Sequence, residues 1–330
     1  MGNGSSIVLS EYFDAEGGEQ RERIACPSCR ADDAEQYRVS RDRLFRQPGV
    51  YRVVRCRRCG MIYTNPRPTF ASLAKHYPSE YFCYLPPESL TGLRRFIATG
   101  ISRSVTERRM RALEALMGTV RAGTRVCDVG CSHGELLYAL KTLRQCEVIG
   151  VDISEPMVAR CAERGVPAIA GTLAQAKLSR ASFDLVTMTE YLEHEGDPRS
   201  VLEECRRVIR DGGYLALEIP LISSLPAKIF RNHWSQLDLP RHLMFFTPET
   251  LQRMLNEVGF EIVGTKKLVG SLAFSLLHVL GIEGMGQLTT RDIIALFLAN
   301  LLVFPFQPFV PEFMFVVARA REPATPRLPG

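Results

Sequence analysis

The pattern of apolar and polar positions changes sharply near Thr124. From there onward, short apolar runs alternate with amphipathic segments, which predicts strands and helices in succession. The predicted strands are TRVCDVG, CEVIGVD, PAIAG, FDLVTMTE, YLALEIP, EIVGTKKLV and FMFVVARA. Near-continuous apolar strands that alternate with helices are typical of a mostly parallel sheet covered on both faces. The pattern therefore predicts an α/β fold with a seven-stranded, mostly parallel sheet.

The same pattern divides the whole chain into five segments. We predict a disordered tail over 1–22, a cysteine-bearing module over 23–66, a helical connector over 67–120, the sheet-forming core over 121–270, and a hydrophobic helical insertion with the last strand and a tail over 271–330. The connector ends in a segment, 91–120, that predicts a basic helix.

Composition narrows the function classes only slightly. The 330 residues are 46% hydrophobic and 23% charged, with a net charge of +5, which is ordinary for a globular protein and too mildly basic to indicate nucleic acid by itself. Eight arginines nevertheless fall within 91–125, at positions 94, 95, 103, 108, 109, 111, 121 and 125. They predict either a solvated helix face or a surface for an anionic partner.

The cysteines indicate a metal site more than a disulfide framework. Four of the ten form two C-x-x-C pairs, CPSC and CRRC, and the other six are scattered through the chain. Two such pairs can bring four thiolates around a zinc ion, so we predict a structural zinc ribbon with Cys26, Cys29, Cys56 and Cys59 as ligands. No secretory signal is recognisable, and we expect a reducing, cytoplasmic location, with membrane association left open.

The turn after the first predicted strand indicates a nucleoside ligand. The sequence runs D-x-G-x-x-x-G from Asp128, whereas a dinucleotide fold would show G-x-G-x-x-G. An aspartate at this point would repel a pyrophosphate and favour a cationic ligand that carries an amine and a sulfonium. The second strand ends at Asp152, whose carboxylate can accept both hydroxyls of a ribose.

These stretches together resemble a known enzyme family. VCDVGCSHG, VIGVDIS, SFDLVTMTEYLEH and VLEECRRVIRDGGYLALEIP resemble the motifs of class I S-adenosylmethionine (SAM)-dependent methyltransferases, over residues 120–265. The resemblance implies a Rossmann-like fold, SAM as cofactor, and transfer of the sulfonium methyl group by in-line displacement. It departs from the family at Ser132, where glycine is usual; serine is small, so we expect binding to be kept.

The resemblance also assigns cofactor-binding residues. Beside Asp128 it places Gly130, Cys131 and Gly134 at the methionine end of the cofactor, Asp152 and Ile153 at the ribose and adenine, Thr172 and Leu173 near the adenine, and Glu190 facing the pocket.

A second resemblance concerns the acceptor. The stretches CRRCGMIYTNPRPT and LDLPRHLMFFTPETL resemble bacterial small-molecule methyltransferases, including sugar C-methyltransferases, in which the zinc module helps form the substrate pocket. We expect the long segment that holds Trp234 to cover the substrate. His194 and His242 are the candidate bases, with His233, Tyr81 and Tyr84 as weaker candidates.

The acceptor and the partners stay open at this stage. We favour methyl transfer to a small molecule, such as a sugar or a lipid-linked glycan. An RNA methyltransferase that binds RNA through its zinc ribbon, and a SAM-binding protein without turnover, are the alternatives. Residues 293–311 lack any charge and contain three prolines, which favours a buried hairpin but leaves open a peripheral contact with a membrane or a lipid-linked substrate.

Overall fold

The computed structural model describes residues 8–15, 18–77, 91–270, 272–284 and 289–321. The strands are β1 Val8–Ala15, β2 Glu19–Ile24, β3 Ala34–Arg41, β4 Val50–Cys56, β5 Ile62–Thr64, β6 Arg67–Pro68, β7 Arg125–Val129, β8 Glu147–Asp152, β9 Ala168–Ala170, β10 Phe183–Thr189, β11 Ile209–Pro220, β12 Met244–Phe245, β13 Phe260–Leu268 and β14 Phe313–Ala320. The helices are α1 Phe70–Leu73, α2 Gly92–Met117, α3 Glu135–Arg144, α4 Glu155–Glu163, α5 Pro198–Val208, α6 Leu225–Phe230, α7 Pro248–Glu257, α8 Leu272–Val279 and α9 Thr290–Val303.

The central sheet has seven strands in the order β13-β14-β11-β10-β7-β8-β9. Strands β7 to β11 pair in parallel, and β14 is antiparallel to both of its neighbours. The chain moves from β7 outward to β8 and β9, then returns to place β10 on the other side of β7. The strand order therefore reverses between β7 and β10, and open α/β sheets bind ligands at the carboxyl ends beside such a reversal. The predicted seven-stranded, mostly parallel sheet is confirmed.

Local signals position the helices that cover the sheet. Asp197 accepts a hydrogen bond from the Ser200 amide at the start of α5, and Pro198 occupies the first helical turn. Thr247 and Thr250 form a reciprocal capping box at the start of α7. Helix α5 ends at Val208, because Ile209 already belongs to β11.

The N-terminal tail is a correction to the sequence analysis. Residues 1–22 were predicted to be disordered, yet β1 and β2 form an antiparallel hairpin, and β2 also pairs with β6. The polar composition misled the prediction because charged side chains of β2 are paired inside the fold. Glu19 and Arg21 are buried and form an ion pair at 2.5 Å, and His76 Nε2 lies 2.6 Å from Glu19 Oε1.

The cysteine-bearing segment is joined to the long segment that follows β11. Strands β3, β4 and β5 share a four-stranded sheet with β12, which comes from the predicted substrate-covering segment. The Thr64 amide donates to the carbonyl of Leu243 at 2.9 Å, and the Thr64 hydroxyl donates to the carbonyl of His242 at 3.1 Å. The N-terminal strands therefore fix the position of a segment about 180 residues away along the chain.

The apolar insertion forms the predicted hairpin between the last two strands. Helices α8 and α9 pack through a buried cluster of Leu272, Ala273, Leu277, Ala299 and Val303. The opposite face of α9 is apolar but exposed. Among the helices in the described part of the chain, none combines the length and the apolarity that a membrane span requires.

Candidate active site

A cavity of about 720 Å³ opens at the carboxyl ends of β7, β8 and β10. Its lining comes from many parts of the chain: the turns after these strands, the end of β3 with the following loop, Tyr77, helix α2, the segment around Trp234, the apolar insertion after β13, and the start of β14. One end of the cavity carries the predicted cofactor residues and the other carries the predicted bases. We call these the cofactor end and the acceptor end.

The cofactor end is lined by Gly130, Ser132, Asp152 and Ile153. Asp152 Oδ2 accepts from the Ser132 amide at 2.8 Å, and Oδ1 accepts from the Ser154 amide at 2.9 Å. These bonds fix the carboxylate at the end of β8 and leave further lone pairs for ribose hydroxyls. Ile153 is 60% exposed beside it and offers an apolar surface of the kind that an adenine ring can contact.

Backbone geometry explains the residue choice in the turn after β7. Gly130 has φ of +72°, and a β-carbon there would lie 2.3 Å from Cδ2 of Tyr191. Ser132 has φ of +48°, the left-handed region that strains any residue except glycine. This backbone conformation explains why the family usually carries glycine at this position. Ser132 adopts the same turn at a steric cost.

Asp128 lies behind the wall of the cavity and is buried. Its side chain is 3% exposed, and its Oδ1 accepts from the Thr187 hydroxyl at 2.5 Å. Burial raises the pKa of Asp128 to about 7, against the opposing effect of Arg109. The carboxyl group therefore joins β7 to β10 and does not itself line the cavity.

Four other predicted cofactor residues also lie outside the lining of the cavity. The Cys131 thiol turns into the core, 3.9 Å from the thiol of Cys161. Gly134 is the N-cap of α3. Thr172 bonds to Gln175 in the turn after β9, and Leu173 is buried. Their contacts with the cofactor stay predictions.

Glu190 lines the cavity at the end of β10, as expected, and forms an ion pair with Arg109 of helix α2. Arg109 reaches Glu190 at 2.6 Å and also bonds to the fully buried Glu218. Arg108 donates to the other Glu218 oxygen at 2.9 Å. Two of the eight clustered arginines therefore neutralise carboxylates at the site, and Arg103 and Arg111 pair with Glu107 on the surface.

The acceptor end brings His194 and His242 together. Both line the cavity, with ring centroids 4.6 Å apart and planes at 83°. His194 follows β10 in a short turn, and His242 precedes β12, so sequence spacing alone could not pair them. His233 does not line the cavity, and Tyr81 and Tyr84 fall in 78–90, outside the described residues.

Hydrogen bonds orient both imidazoles. His194 Nδ1 lies 3.1 Å from the Arg241 carbonyl and 2.9 Å from the hydroxyl of Tyr77. His242 Nδ1 lies 2.9 Å from the Gln236 carbonyl. Burial, and then the neighbouring His242, lower the pKa of His194 to about 3, and burial lowers the pKa of His242. Both rings are therefore neutral at physiological pH.

Sequence reasoning missed the residues that support this pair. The fully buried Arg241 is held by Asp42, at 2.8 Å, and by Asp238, at 2.7 Å. Glu193, next to His194, is 1% exposed, and burial raises its pKa well above the usual range. Asp42 and Tyr77 carry no motif by themselves. Glu193 lies in the stretch SFDLVTMTEYLEH that resembles a family motif, and that stretch could have drawn attention to it.

The cysteine cluster fits a zinc ion. Cys26 and Cys59 place their sulfurs 3.4 Å apart, and Cys29 and Cys56 place theirs 3.5 Å apart. Four thiolates about 2.3 Å from zinc in a tetrahedron would be roughly 3.8 Å apart. The two turns are alike: Arg30 and Gly60 have positive φ, and their amides bond back to the carbonyls of Cys26 and Cys56. The four ligands are therefore already gathered, as a structural zinc site requires.

Comparison with known proteins identifies the core. The family described as "Methyltransferase domain" matches residues 98–265, about half of the chain. The chain belongs to this methyltransferase family. It is a class I SAM-dependent methyltransferase, with a Rossmann-like fold.

The relatives methylate small molecules, judging by their names. The 27-O-demethylrifamycin SV methyltransferase of Amycolatopsis mediterranei is 35% identical over 136 residues, which are 38% of this chain and 50% of that protein. The ubiquinone biosynthesis O-methyltransferase of Thiobacillus denitrificans is 34% identical over 176 residues, 49% of this chain and 74% of that protein. The chain thus spans half the length of the first relative and about three quarters of the second.

A solved structure agrees on the fold. A crystal structure from Galdieria sulphuraria, named for a sarcosine dimethylglycine methyltransferase, has a TM-score of 0.50 at 14% identity and covers 69% of this chain and 88% of its own. This similarity supports the fold alone.

Proposed function

We propose that this methyltransferase transfers the methyl group of SAM to a hydroxyl of a small-molecule acceptor bound between the two ends of the cavity. The single observation that carries the proposal is the continuity of one cavity from Asp152 to the His194–His242 pair. The names of two relatives, for rifamycin and ubiquinone O-methylation, favour an oxygen acceptor. A sugar or a lipid-linked glycan is an acceptor with suitable hydroxyls.

In this proposal, the reaction is an in-line displacement. The acceptor oxygen forms a bond to the methyl carbon while the carbon–sulfur bond breaks, and the sulfonium becomes a neutral thioether. The hydroxyl proton goes to the free imidazole nitrogen of His194 or His242. Because SAM is already activated, most of the rate enhancement comes from positioning and the exclusion of water.

The histidine pair can be tested one residue at a time. The full chain, radiolabelled SAM and a panel of sugars, glycolipids and phenols are combined, and labelled product is measured. With a productive acceptor, His194→Ala or His242→Ala should slow transfer by about 10²- to 10⁴-fold while SAM affinity is kept. If neither variant slows transfer, the histidine base is wrong; if no acceptor is methylated although SAM binds, the non-catalytic alternative gains support.

We further propose that the zinc ribbon serves the acceptor site and not RNA. Strand β5 of this module pairs with β12 beside His242. Ser40 and Arg41 at the end of β3, and Arg43 just after it, line the cavity. The surface of the module that forms this wall of the pocket is therefore not available to bind RNA. Salt-steep binding of ribosomal RNA fragments, with methyl incorporation into them, would contradict this assignment.

The α9 face suggests how an apolar acceptor could arrive. Ile294, Phe297, Leu298, Leu301 and Leu302 are each more than half exposed and share one side of the helix. The same hairpin contributes Phe274 and Gln307 to the cavity. We propose that this face lies on a lipid surface, so that a lipid-linked acceptor enters beside it.

Vesicle binding tests this contact. The full chain should co-sediment with phosphatidylcholine vesicles that contain an anionic lipid, and the double variant Phe297→Glu and Leu301→Glu should lose this binding. Arg160→Glu, on the surface of α4, serves as the charge-matched control. If the wild-type chain ignores vesicles and instead dimerises through this face, as measured by sedimentation velocity, the lipid proposal fails.

A further inference from the structure

A second group of possible metal ligands lies at the acceptor end of the cavity. Glu193, His194 and His242 each offer one ligand atom, and these atoms all lie within 4.8 Å of one another. Three ligands bound to one ion at about 2.1 Å stand no more than about 4.2 Å apart, so a small movement of the side chains closes the group around an ion. The cysteine cluster is the other such group among the residues that the structure describes.

Glu193 is the observation that points to a ligand. Its side chain is buried, and neither carboxylate oxygen has a hydrogen-bond partner within the described structure. Burying a carboxylate without a partner is expensive, so natural proteins supply a proton, a counter-ion or a metal. The Leu243 amide donates to the main-chain carbonyl of Glu193 and not to its side chain. The Glu193 carboxylate, which lies close to the two imidazoles, therefore has no hydrogen-bond donor among the described residues.

The hydrogen bonds of the histidines are those of metal ligands. A backbone carbonyl can only accept, so the bond of His242 Nδ1 to the Gln236 carbonyl requires the proton on Nδ1. His194 Nδ1 lies 3.1 Å from the Arg241 carbonyl and 2.9 Å from the Tyr77 hydroxyl, and a proton on Nδ1 is the arrangement that satisfies the carbonyl while the hydroxyl serves as a second acceptor. Nε2 then carries the free lone pair. Metal-binding histidines usually donate their second N–H in this way, which fixes the tautomer and aims the ring.

The surrounding charge also favours a cation. Arg241, whose main-chain carbonyl contacts His194, has its side-chain charge balanced by two carboxylates, Asp42 and Asp238. Asp238 Oδ2 additionally lies 4.0 Å from His242 Nε2, close enough to become an outer partner of a bound ion. The ion pairs of Arg108 and Arg109 with Glu190 and Glu218 also act on this place. With Glu193 ionised, five carboxylates would be set against three guanidiniums, so the site has an excess of negative charge.

We propose that Glu193, His194 and His242 bind one divalent transition-metal ion at the acceptor end of the cavity. Two imidazoles and one carboxylate suit Mn²⁺ or Fe²⁺ and leave positions open toward the cavity. The inference rests on the proposed function, because the ion would hold the acceptor oxygen that receives the methyl group. In that state the histidines would act as ligands and would no longer accept the proton. The ion would favour ionisation of the bound acceptor hydroxyl, and the proton would leave to solvent water through the cavity.

Manganese is the probe that separates this site from the cysteines, because thiolates prefer zinc. The zinc-loaded full chain is treated with a mild chelator and titrated with Mn²⁺, and free Mn²⁺ is followed by electron paramagnetic resonance. We expect one bound equivalent. Glu193→Gln and His242→Gln should each weaken binding at least tenfold, since each removes a ligand while keeping the shape of the side chain.

Matched controls use cavity or core residues outside the group. His278 lines the same cavity and Glu312 is a second buried glutamate, so His278→Gln and Glu312→Gln should leave the Mn²⁺ affinity unchanged. Binding of SAM by every variant shows that each is folded. Absence of a bound equivalent, or equal affinity in Glu193→Gln and the wild type, would overturn the inference.

Activity distinguishes this inference from the proposed function. Where an acceptor has been found, a chelated enzyme that methylates as fast as the Mn²⁺-loaded enzyme shows that the proposed function stands and the metal has no part in it. A chain that binds Mn²⁺ at these residues but transfers no methyl group to any acceptor shows that the metal site stands and that the proposed function fails.

Discussion

The two ends of the cavity are built in different ways. The cofactor end comes from one continuous stretch, in which successive βα turns place Gly130, Ser132 and Asp152 side by side. The acceptor end is assembled from segments that lie far apart in the chain, as in the pairing of Asp42 with Arg241 across 199 positions. The difference shows that one enzyme can keep a local, motif-encoded cofactor site and build its specificity from long-range contacts.

Removal of the cysteine site should have the largest effect on methyl transfer. It should also distinguish the two ends of the cavity most clearly, because the acceptor end depends on the cysteine-bearing segment and the cofactor end does not. The double variant Cys26→Ser and Cys56→Ser should unfold the N-terminal strands, because a structural zinc site contributes roughly 10 kcal/mol or more to its own module. The acceptor end should lose its wall, and methyl transfer should fall below detection.

Binding of SAM should survive this change within about fivefold, since Gly130, Ser132, Asp152 and Ile153, which line the cofactor end, lie outside the cysteine-bearing segment 23–66. Calorimetry measures SAM affinity, and zinc content is read by mass spectrometry. Cys146→Ser, a buried cysteine remote from the cluster, is the control. Loss of SAM binding in the double variant would mean that the two ends are not separable.

The carboxylate at the end of β8 should matter most for the cofactor end. Asp152→Ala removes a group that accepts two main-chain hydrogen bonds and faces the cavity, so we expect SAM affinity to fall by roughly 30- to 300-fold. Asp128→Asn is the matched comparison. Because Asp128 does not line the cavity, its change should alter SAM affinity less, and equal losses would show that Asp128 contacts the cofactor after all.

The stability of the acceptor end should depend on pH through Glu312. This buried side chain accepts from Trp234 Nε1 at 2.8 Å, and burial raises its pKa from 4.5 to about 7. Between these values the folded state keeps a proton that the unfolded state loses, so the free energy of unfolding falls as pH rises through this window.

Glu312→Gln should therefore stabilise the protein above pH 7, by up to about 3 kcal/mol, and change little below pH 4.5. Denaturant unfolding at pH 5 and pH 8 measures the difference. Gln307→Glu, on the same hairpin, is a control that adds a carboxylate. A Glu312→Gln variant that is equally stable to the wild type at pH 8 would contradict the raised pKa.

The smallest expected effect concerns strain in the turn after β7. Ser132→Gly should stabilise the fold by about 1 kcal/mol, because glycine adopts a φ of +48° without the steric cost that serine incurs. Lys177→Gly, at φ +49° in a loop away from the cavity, should give a similar gain.

The two glycine variants differ in their effect on the cofactor. Only Ser132→Gly should change SAM affinity, since Ser132 lines the cofactor end and Lys177 does not. Thermal unfolding and SAM calorimetry of both variants provide the comparison. A stabilisation confined to Lys177→Gly would show that the Ser132 turn is held by contacts that glycine loses.

The sequence by itself determined the sheet, the turn after β7 and the carboxylate at Asp152, because these depend on periodicity and on residues that are neighbours in the chain. It also determined the four-cysteine cluster, whose spacing brings the ligands together in two similar turns.

Only the tertiary structure decided the rest. It buried charged residues of β2, turned Asp128 and Cys131 away from the cavity, and brought Glu193, His194 and His242 together. These outcomes depend on contacts between distant segments, and the free energy of a buried ion pair or imidazole is set by partners that no local pattern specifies.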